Sequence, residues 1–119
     1  MGYALAEQAM LRGARVTLIS GPTQIDPLPG IQIVPVVTAD DMQKAVQTHL
    51  DAADVLVMAA AVADYRVAAI AAHKLKKETG PAALDWQKTP DILALAGKNK
   101  GRHYHVGFAV ETENEIENA

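Results

Sequence analysis

Cysteine is absent from the 119-residue chain, which removes disulfides, thiolate metal sites and a cysteine nucleophile from consideration. Large aromatics are scarce, with one Trp, one Phe and three Tyr, so each is a candidate for an anchoring or stacking role. No run approaches the ~18 unbroken apolar residues of a membrane-crossing helix, and Glu7 and Arg12 interrupt the opening segment. Neither a membrane span nor a secretion signal is expected, and the cytoplasm is the expected compartment. Excess positive charge is lacking too: 11 Lys plus Arg stand against 14 Asp plus Glu, a net of -3, whereas a general nucleic-acid binder needs a basic surface. Three catalytic signatures are also missing, namely the dinucleotide Gly-x-Gly-x-x-Gly turn, the Walker loop and the Gly-x-Ser-x-Gly elbow.

What is there has the balance of a soluble α/β domain, 50% apolar and 21% charged, in a length suited to one domain, residues 1–119. The Gly2 to Gly13 segment spaces Tyr3, Leu5, Ala6, Ala9 and Met10 at helical intervals, with Gly13 as the stop. Arg15 to Ser20 and Ile31 to Val37 read as strands, separated by a Pro- and Gly-rich loop, with Pro35 pointing to a sheet edge. Thr38 offers a helix cap, Asp40 and Asp41 suit a first turn, and Met42, Ala45, Val46 and Leu50 form one apolar face. Asp54 to Ala61 is the pattern of a central strand buried on both faces. Val62 to Ala83 reads as a long exposed excursion, and loops of that length are commonly functional. Leu84 to Gln87 is a short strand candidate; Pro90 and Asp91 begin a helix running through Ala96; His103 to Ala109 is a further strand. The end of the chain reads as the start of another helix. Alternating helices and strands with short links predict a doubly wound, mostly parallel Rossmann-like sheet with a basic flap loop, incomplete at both termini.

Such sheets bind ligands beyond the carboxyl ends of their strands. Here those ends carry Ser20 with Gly21, Thr38, Ala59 to Asp64, and Phe108 to Glu111. In the AAAVADYR run, small residues let a flat ligand approach the backbone and Asp64 can accept a hydrogen bond, although packing alanines and a capping Asp would give the same pattern. The KLKK run sets three ammonium groups within four residues, suited to a polyanion or simply to a solvated basic loop. Free amides at the helix start near Pro90 and Asp91 suit an anion, as at any helix start. His49, His73, His103 and His105 match no metal-ligand spacing, so no metal site is expected from them. Trp86 is expected to pack under the long loop, and Phe108 to pack or to stack on a base. Ser20 has no evident histidine partner for nucleophilic catalysis.

Taken in order, GYALAEQAMLRGARVTLISGPT, AAAVADYR, KLKK, K-T-P-D-I-L and VGFAVET resemble phosphopantothenoylcysteine synthetase, the CTP-dependent ligase domain of the coenzyme A pathway, often fused in bacteria behind a flavin decarboxylase. The resemblance spans nearly the whole chain. It implies that the carboxylate of 4'-phosphopantothenate attacks the α-phosphate of CTP, releasing pyrophosphate, and that the cysteine amine then displaces CMP from the acyl-cytidylate. Mg2+ would accompany the triphosphate, and FMN would be present only with a decarboxylase fused upstream. Met58, Ala59 and Ala60 would line the nucleotide site by backbone, with Asp64 contacting CTP. Lys74 would be the catalytic lid lysine on the phosphates. Pro90, Asp91, Ile92 and Leu93 would meet the nucleotide at a helix start, with Phe108 against it. A homodimer or higher assembly is implied for the complete domain.

The chain departs from the family pattern at both ends, lacking a glycine- and serine-rich turn upstream and an Ala-Asn-Asp stretch downstream, so an inactive fragment is the expectation. Some relatives of the family use ATP, which leaves nucleotide identity open. The alternatives are an NAD(P)-dependent oxidoreductase on a related sheet and a noncatalytic fold remnant that self-associates.

Overall fold

The computed structural model describes residues 1–26, 28–68, 84–98 and 101–109. Helix α1 (Gly2–Leu11) ends as its sequence demands: Gly13 adopts a φ of 87°, open to glycine at little cost. Its amide reaches Met10 O at 2.8 Å and that of Ala14 reaches Ala9 O at 3.1 Å, the two bonds of a Schellman end. The reversal feeds strand β1 (Thr17–Ser20), which pairs in parallel with β2 (Gln32–Pro35), register Thr17↔Gln32 to Ser20↔Pro35. Pro35 lies at the last rung of that pair, where a missing amide costs least. Helix α2 (Ala39–Leu50) follows, with a full capping box between Thr38 and Asp41. Thr38 Oγ1 accepts from the Asp41 amide at 3.1 Å, and Asp41 Oδ2 accepts from the Thr38 amide at 3.0 Å.

Strand β3 (Val55–Met58) pairs in parallel with the last described strand, β6 (Tyr104–Gly107), in the register Val55↔Tyr104 to Met58↔Gly107. Between them lie β4 (Tyr65–Val67), β5 (Trp86–Lys88) and helix α3 (Ile92–Lys98). The described strands thus form three two-stranded ladders, two parallel and one antiparallel, β4 with β5. The α/β class and the parallel pairing agree with the sequence reading. A core gathers Val46 and Leu50 of α2 with Ile92 and Ala96 of α3, all buried. No helix among the described residues is long and apolar enough to cross a membrane.

Several expectations need correction. The strand expected over Asp54 to Ala61 stops at Met58, because its partner β6 stops at Gly107 and a strand lasts only as long as its ladder. It is not buried on both faces: Val55 is 52% and Val57 44% exposed, on the same face as Tyr104 and Val106, while Leu56 and His105 turn inward. The excursion from Val62 holds a strand, β4, and the Leu84 to Gln87 candidate is displaced to Trp86–Lys88. Trp86 is 60% exposed rather than packed away. Leu5 is exposed, so α1 buries a narrower stripe than its spacing suggests. Helix α3 begins at Ile92, not Pro90, because Asp91 Oδ1 accepts from the Ala94 amide at 2.9 Å and takes the capping position. The basic loop around Lys74 and the expected helix at the chain's end lie outside the described residues.

Two outcomes follow from this packing. Leu50→Ala removes a buried side chain from the α2–α3 contact, and urea unfolding will show a loss of about 2–3 kcal/mol. The Asp41 carboxyl is held below the ordinary carboxylate range, chiefly by the Thr38 side-chain hydrogen bond and then by the Thr38 backbone amide. A lowered folded value favours the folded state at pH values above the unfolded one, and that advantage disappears as pH falls through the folded value. The thermal-midpoint gap between the native chain and Asp41→Asn is therefore present above about pH 4 and closes with further acidification, as calorimetry across pH will show.

Candidate functional site

Parallel pairing of β3 and β6 sets their carboxyl ends side by side, and the Phe108 amide continues the ladder by donating to Met58 O at 3.2 Å. Met58 and Phe108, fifty residues apart in sequence, are thereby adjacent. Phe108 is 49% exposed, so its ring remains available to a flat partner. Gly107 admits a third element: a Cβ built there would lie 2.5 Å from Leu93 Cδ2, so Leu93 occupies the space that a side chain would take. Leu93 of α3 is thus held against the end of the β3–β6 ladder.

The beginning of α1 closes the other side. A Cβ at Gly2 would stand 3.8 Å from Ala59 Cβ, and Tyr3 donates its hydroxyl proton to Ser20 Oγ at 3.1 Å. One helix end therefore lies beside Ala59, just beyond β3, and is bonded to Ser20, the last residue of β1, placing both strand ends on one edge. Ser20 in turn donates to Gly21 O at 2.9 Å, so its hydroxyl is engaged in structure.

Asp64 enters through the β4–β5 ladder. Its carbonyl accepts from the Thr89 amide at 2.7 Å, the rung beyond Tyr65↔Lys88. Asp64 thereby neighbours Thr89 and Pro90, which lead into α3; its own side chain is exposed. Thr89 is buried. Of the residues singled out in the sequence, Met58, Leu93 and Phe108 meet through the ladder, Ala59 meets α1, and Asp64 meets the Pro90–Asp91 entry. Ala60 follows Ala59 and is exposed. Ile92 is buried and shares a cleft with Val46 and Leu50, so its side chain serves the core. Lys74 lies outside the described residues.

The helix start at Asp91 is a poorer anion site than the sequence suggests. The Asp91 carboxylate already caps it and places a negative charge where an anion would sit. Among the described residues no group of three or more His, Asp or Glu could hold a metal ion. His103 and His105 instead stack with centroids 6.3 Å apart, and His103 Nδ1 is bonded to Ala53 O at 2.6 Å. Gly107, Gly2, Thr89 and Tyr3 escaped the sequence reading as site builders. Their place in the GYALAEQ, K-T-P-D-I-L and VGFAVET runs is the one signal that points to them.

A family model described as the DNA/pantothenate metabolism flavoprotein C-terminal domain matches residues 1–119. The coenzyme A biosynthesis bifunctional protein CoaBC of Bacillus subtilis (strain 168) is 45% identical over 115 residues, covering 96% of this chain and 28% of that protein. The protein of the same name from Escherichia coli (strain K12) is 42% identical over 118 residues, covering 96% of this chain and 29% of its own length. A crystal structure of the C-terminal domain of a coenzyme A biosynthesis bifunctional protein CoaBC superposes with a TM-score of 0.84 at 39% identity, over 99% of this chain and 55% of that one. The chain thus spans under a third of the length of these curated relatives and about half of the solved domain.

The contact between Gly107 and Leu93 is testable without any ligand. Gly107→Ala forces the Leu93 side chain aside and will lower stability by about 1 kcal/mol, the mild end of overpacking because the obstructing atom is at the tip of a flexible chain. In the Gly107→Ala/Leu93→Ala double variant the two losses will not add, since the truncated side chain leaves room for the new methyl. Denaturant unfolding of the four proteins measures the coupling.

Proposed function

Because the chain belongs to the DNA/pantothenate metabolism flavoprotein C-terminal domain family, we propose that it serves coenzyme A biosynthesis as the nucleotide-binding part of a phosphopantothenate–cysteine ligase. The single observation that carries this reading is the convergence of Met58, Ala59, Leu93 and Phe108 at the joint carboxyl end of β3 and β6. That is the edge where doubly wound sheets receive nucleotides. The relatives' names support the pathway, and the ligase chemistry comes from the motif resemblance.

In this reading the carboxylate of 4'-phosphopantothenate attacks the α-phosphorus of CTP. The bond to the bridging oxygen breaks, pyrophosphate leaves, and an acyl-cytidylate remains. The amine of cysteine then attacks the acyl carbon, CMP departs, and the amine proton is lost to solvent. Ala59 and Ala60 would admit the base close to backbone, Phe108 would stack on it, and Asp64 would accept from its amine or from a ribose hydroxyl. Pro90, Asp91 and Leu93 would border the nucleotide, and Lys74 would offset the charge on the phosphates. Mg2+ would arrive on the triphosphate, consistent with a divalent ion held mainly by phosphate oxygens and water rather than by a protein cage. Dimerisation of the complete domain and a cytoplasmic setting belong to the same proposal.

The test is pyrophosphate release with phosphopantothenate, Mg2+ and either CTP or ATP, followed by cysteine-dependent release of CMP or AMP. It is run on the chain and on a chimaera in which the chain replaces the aligned span of the solved domain. Turnover with CTP in the chimaera is expected, and Lys74→Gln will reduce it about 100-fold or more with an unchanged circular dichroism spectrum. Binding of NADPH, with no thermal shift from CTP and Mg2+ in either form, would overturn the reading.

A further inference from the structure

Among the described residues one ion pair joins separate elements: Arg66 Nη1 of β4 to Asp40 Oδ2 in the first turn of α2. Its setting gives it a direction of action. The two acids of the α2 start divide their tasks, Asp41 closing the capping box with Thr38 while Asp40 is left to reach outward. Arg66 is the middle residue of a three-residue strand, on the face opposite Tyr65 and Val67. Its strand is secured at both ends by backbone bonds, Thr89 N–H to Asp64 O at 2.7 Å and Ala68 N–H to Asp85 O at 2.8 Å.

A ladder this short has little cohesion of its own. Its side chains offer little cover, since Tyr65, Trp86, Gln87 and Lys88 are all exposed. We propose that Arg66 is a positioning residue, which by gripping Asp40 fixes the β4–β5 ladder against the start of α2 and so holds Asp64 and the Thr89–Pro90 entry to α3 at the nucleotide edge. The guanidinium touches neither substrate nor reacting atoms in this role; it acts through Asp64. The placement is economical, because α2 starts just beyond the carboxyl end of β2 and therefore stands on the same sheet edge. An aliphatic contact would hold the ladder loosely, whereas a guanidinium and a carboxylate impose a direction as well as a distance.

The role rests on the proposed nucleotide site for its kinetic consequence but not for its structural one, and the experiment separates the two. In the native chain, Arg66→Gln and Asp40→Asn will each speed hydrogen exchange at the Thr89 amide about three- to fivefold, the range of a partly exposed ion pair. Exchange at the Gln32 amide, bonded to Val16 in the β1–β2 region, will not change. The double variant will match the single ones, and Arg66→Lys will recover part of the protection. Emission of Trp86, the sole tryptophan, opposite Val67 in the ladder, supplies an optical record of the same loosening. In the turnover-competent form, the KM for CTP with Mg2+ will rise by a similar factor while kcat stays within about twofold. Unaltered Thr89 exchange, additive single variants, or faster exchange with an unchanged KM would each overturn the positioning role. Absence of CTP turnover in the unsubstituted protein would instead remove the ligase reading, leaving exchange and additivity to decide whether the pair fixes the ladder.

Discussion

Two strands that run the same way cannot be joined by a tight turn, so the pairing of β3 with β6 obliges everything between Met58 and Tyr104 to leave the sheet and return. That obligation organises the rest of the molecule. The returning path includes α3, whose buried Ile92 and Ala96 join Val46 and Leu50 of α2 in the core. The path also brings Leu93 over Gly107. Were Met58 not opposite Gly107, Phe108 would have no reason to lie beside it. A one-residue slip of β3 against β6 would turn Leu56 outward and Val55 and Val57 inward, so that β3 would present the wrong face to the side on which Leu56 and His105 now lie.

A second constraint is electrostatic and sits at helix starts. Each described helix after the first begins with a carboxylate at or near its cap, Asp41 on Thr38 for α2 and Asp91 on Ala94 for α3. Those groups stabilise the helices by satisfying amides that would otherwise be unpaired. They also repel an anion from the same amides, so these two helix starts are poor places for phosphate charge. The start of α1 is different. It has no side-chain cap, and it abuts Ala59 and Ser20.

Local signals and long-range ones had unequal visibility in the sequence. Thr38, the two aspartates after it and the spacing of Val46 and Leu50 announced α2, because caps and apolar period are written within a few consecutive residues. Gly13 announced the end of α1 for the same reason. The extent of β3 was overread since Ala59 to Ala61 continue its apolar character, and only the partner strand could say where the pairing stops. Strand β4 was missed because three residues with an arginine in the middle carry no alternation worth the name; their strand state depends on Trp86–Lys88, far along the chain. The candidate site was legible as a set of strand ends. Its internal contacts, Leu93 on Gly107, Gly2 on Ala59 and Arg66 on Asp40, depend on which elements meet, and no local pattern encodes that.

The turn after β3 also limits how a ligand could be read there. Met58 O already accepts from Phe108, so one of its two lone pairs is committed to holding the strand ends together. Among the described residues no backbone hydrogen bond engages Ala59 or Ala60. The two peptide units after β3 thus lie beside an exposed aromatic ring. A partner recognised at this turn would therefore be planar, to lie on Phe108. It would also carry donors and acceptors along an edge, to match the two open peptide groups. Small side chains at both positions let that edge come within hydrogen-bonding distance of backbone, and the beginning of α1 lies close on the Ala59 side, where a Cβ at Gly2 would make ordinary van der Waals contact with the Ala59 methyl.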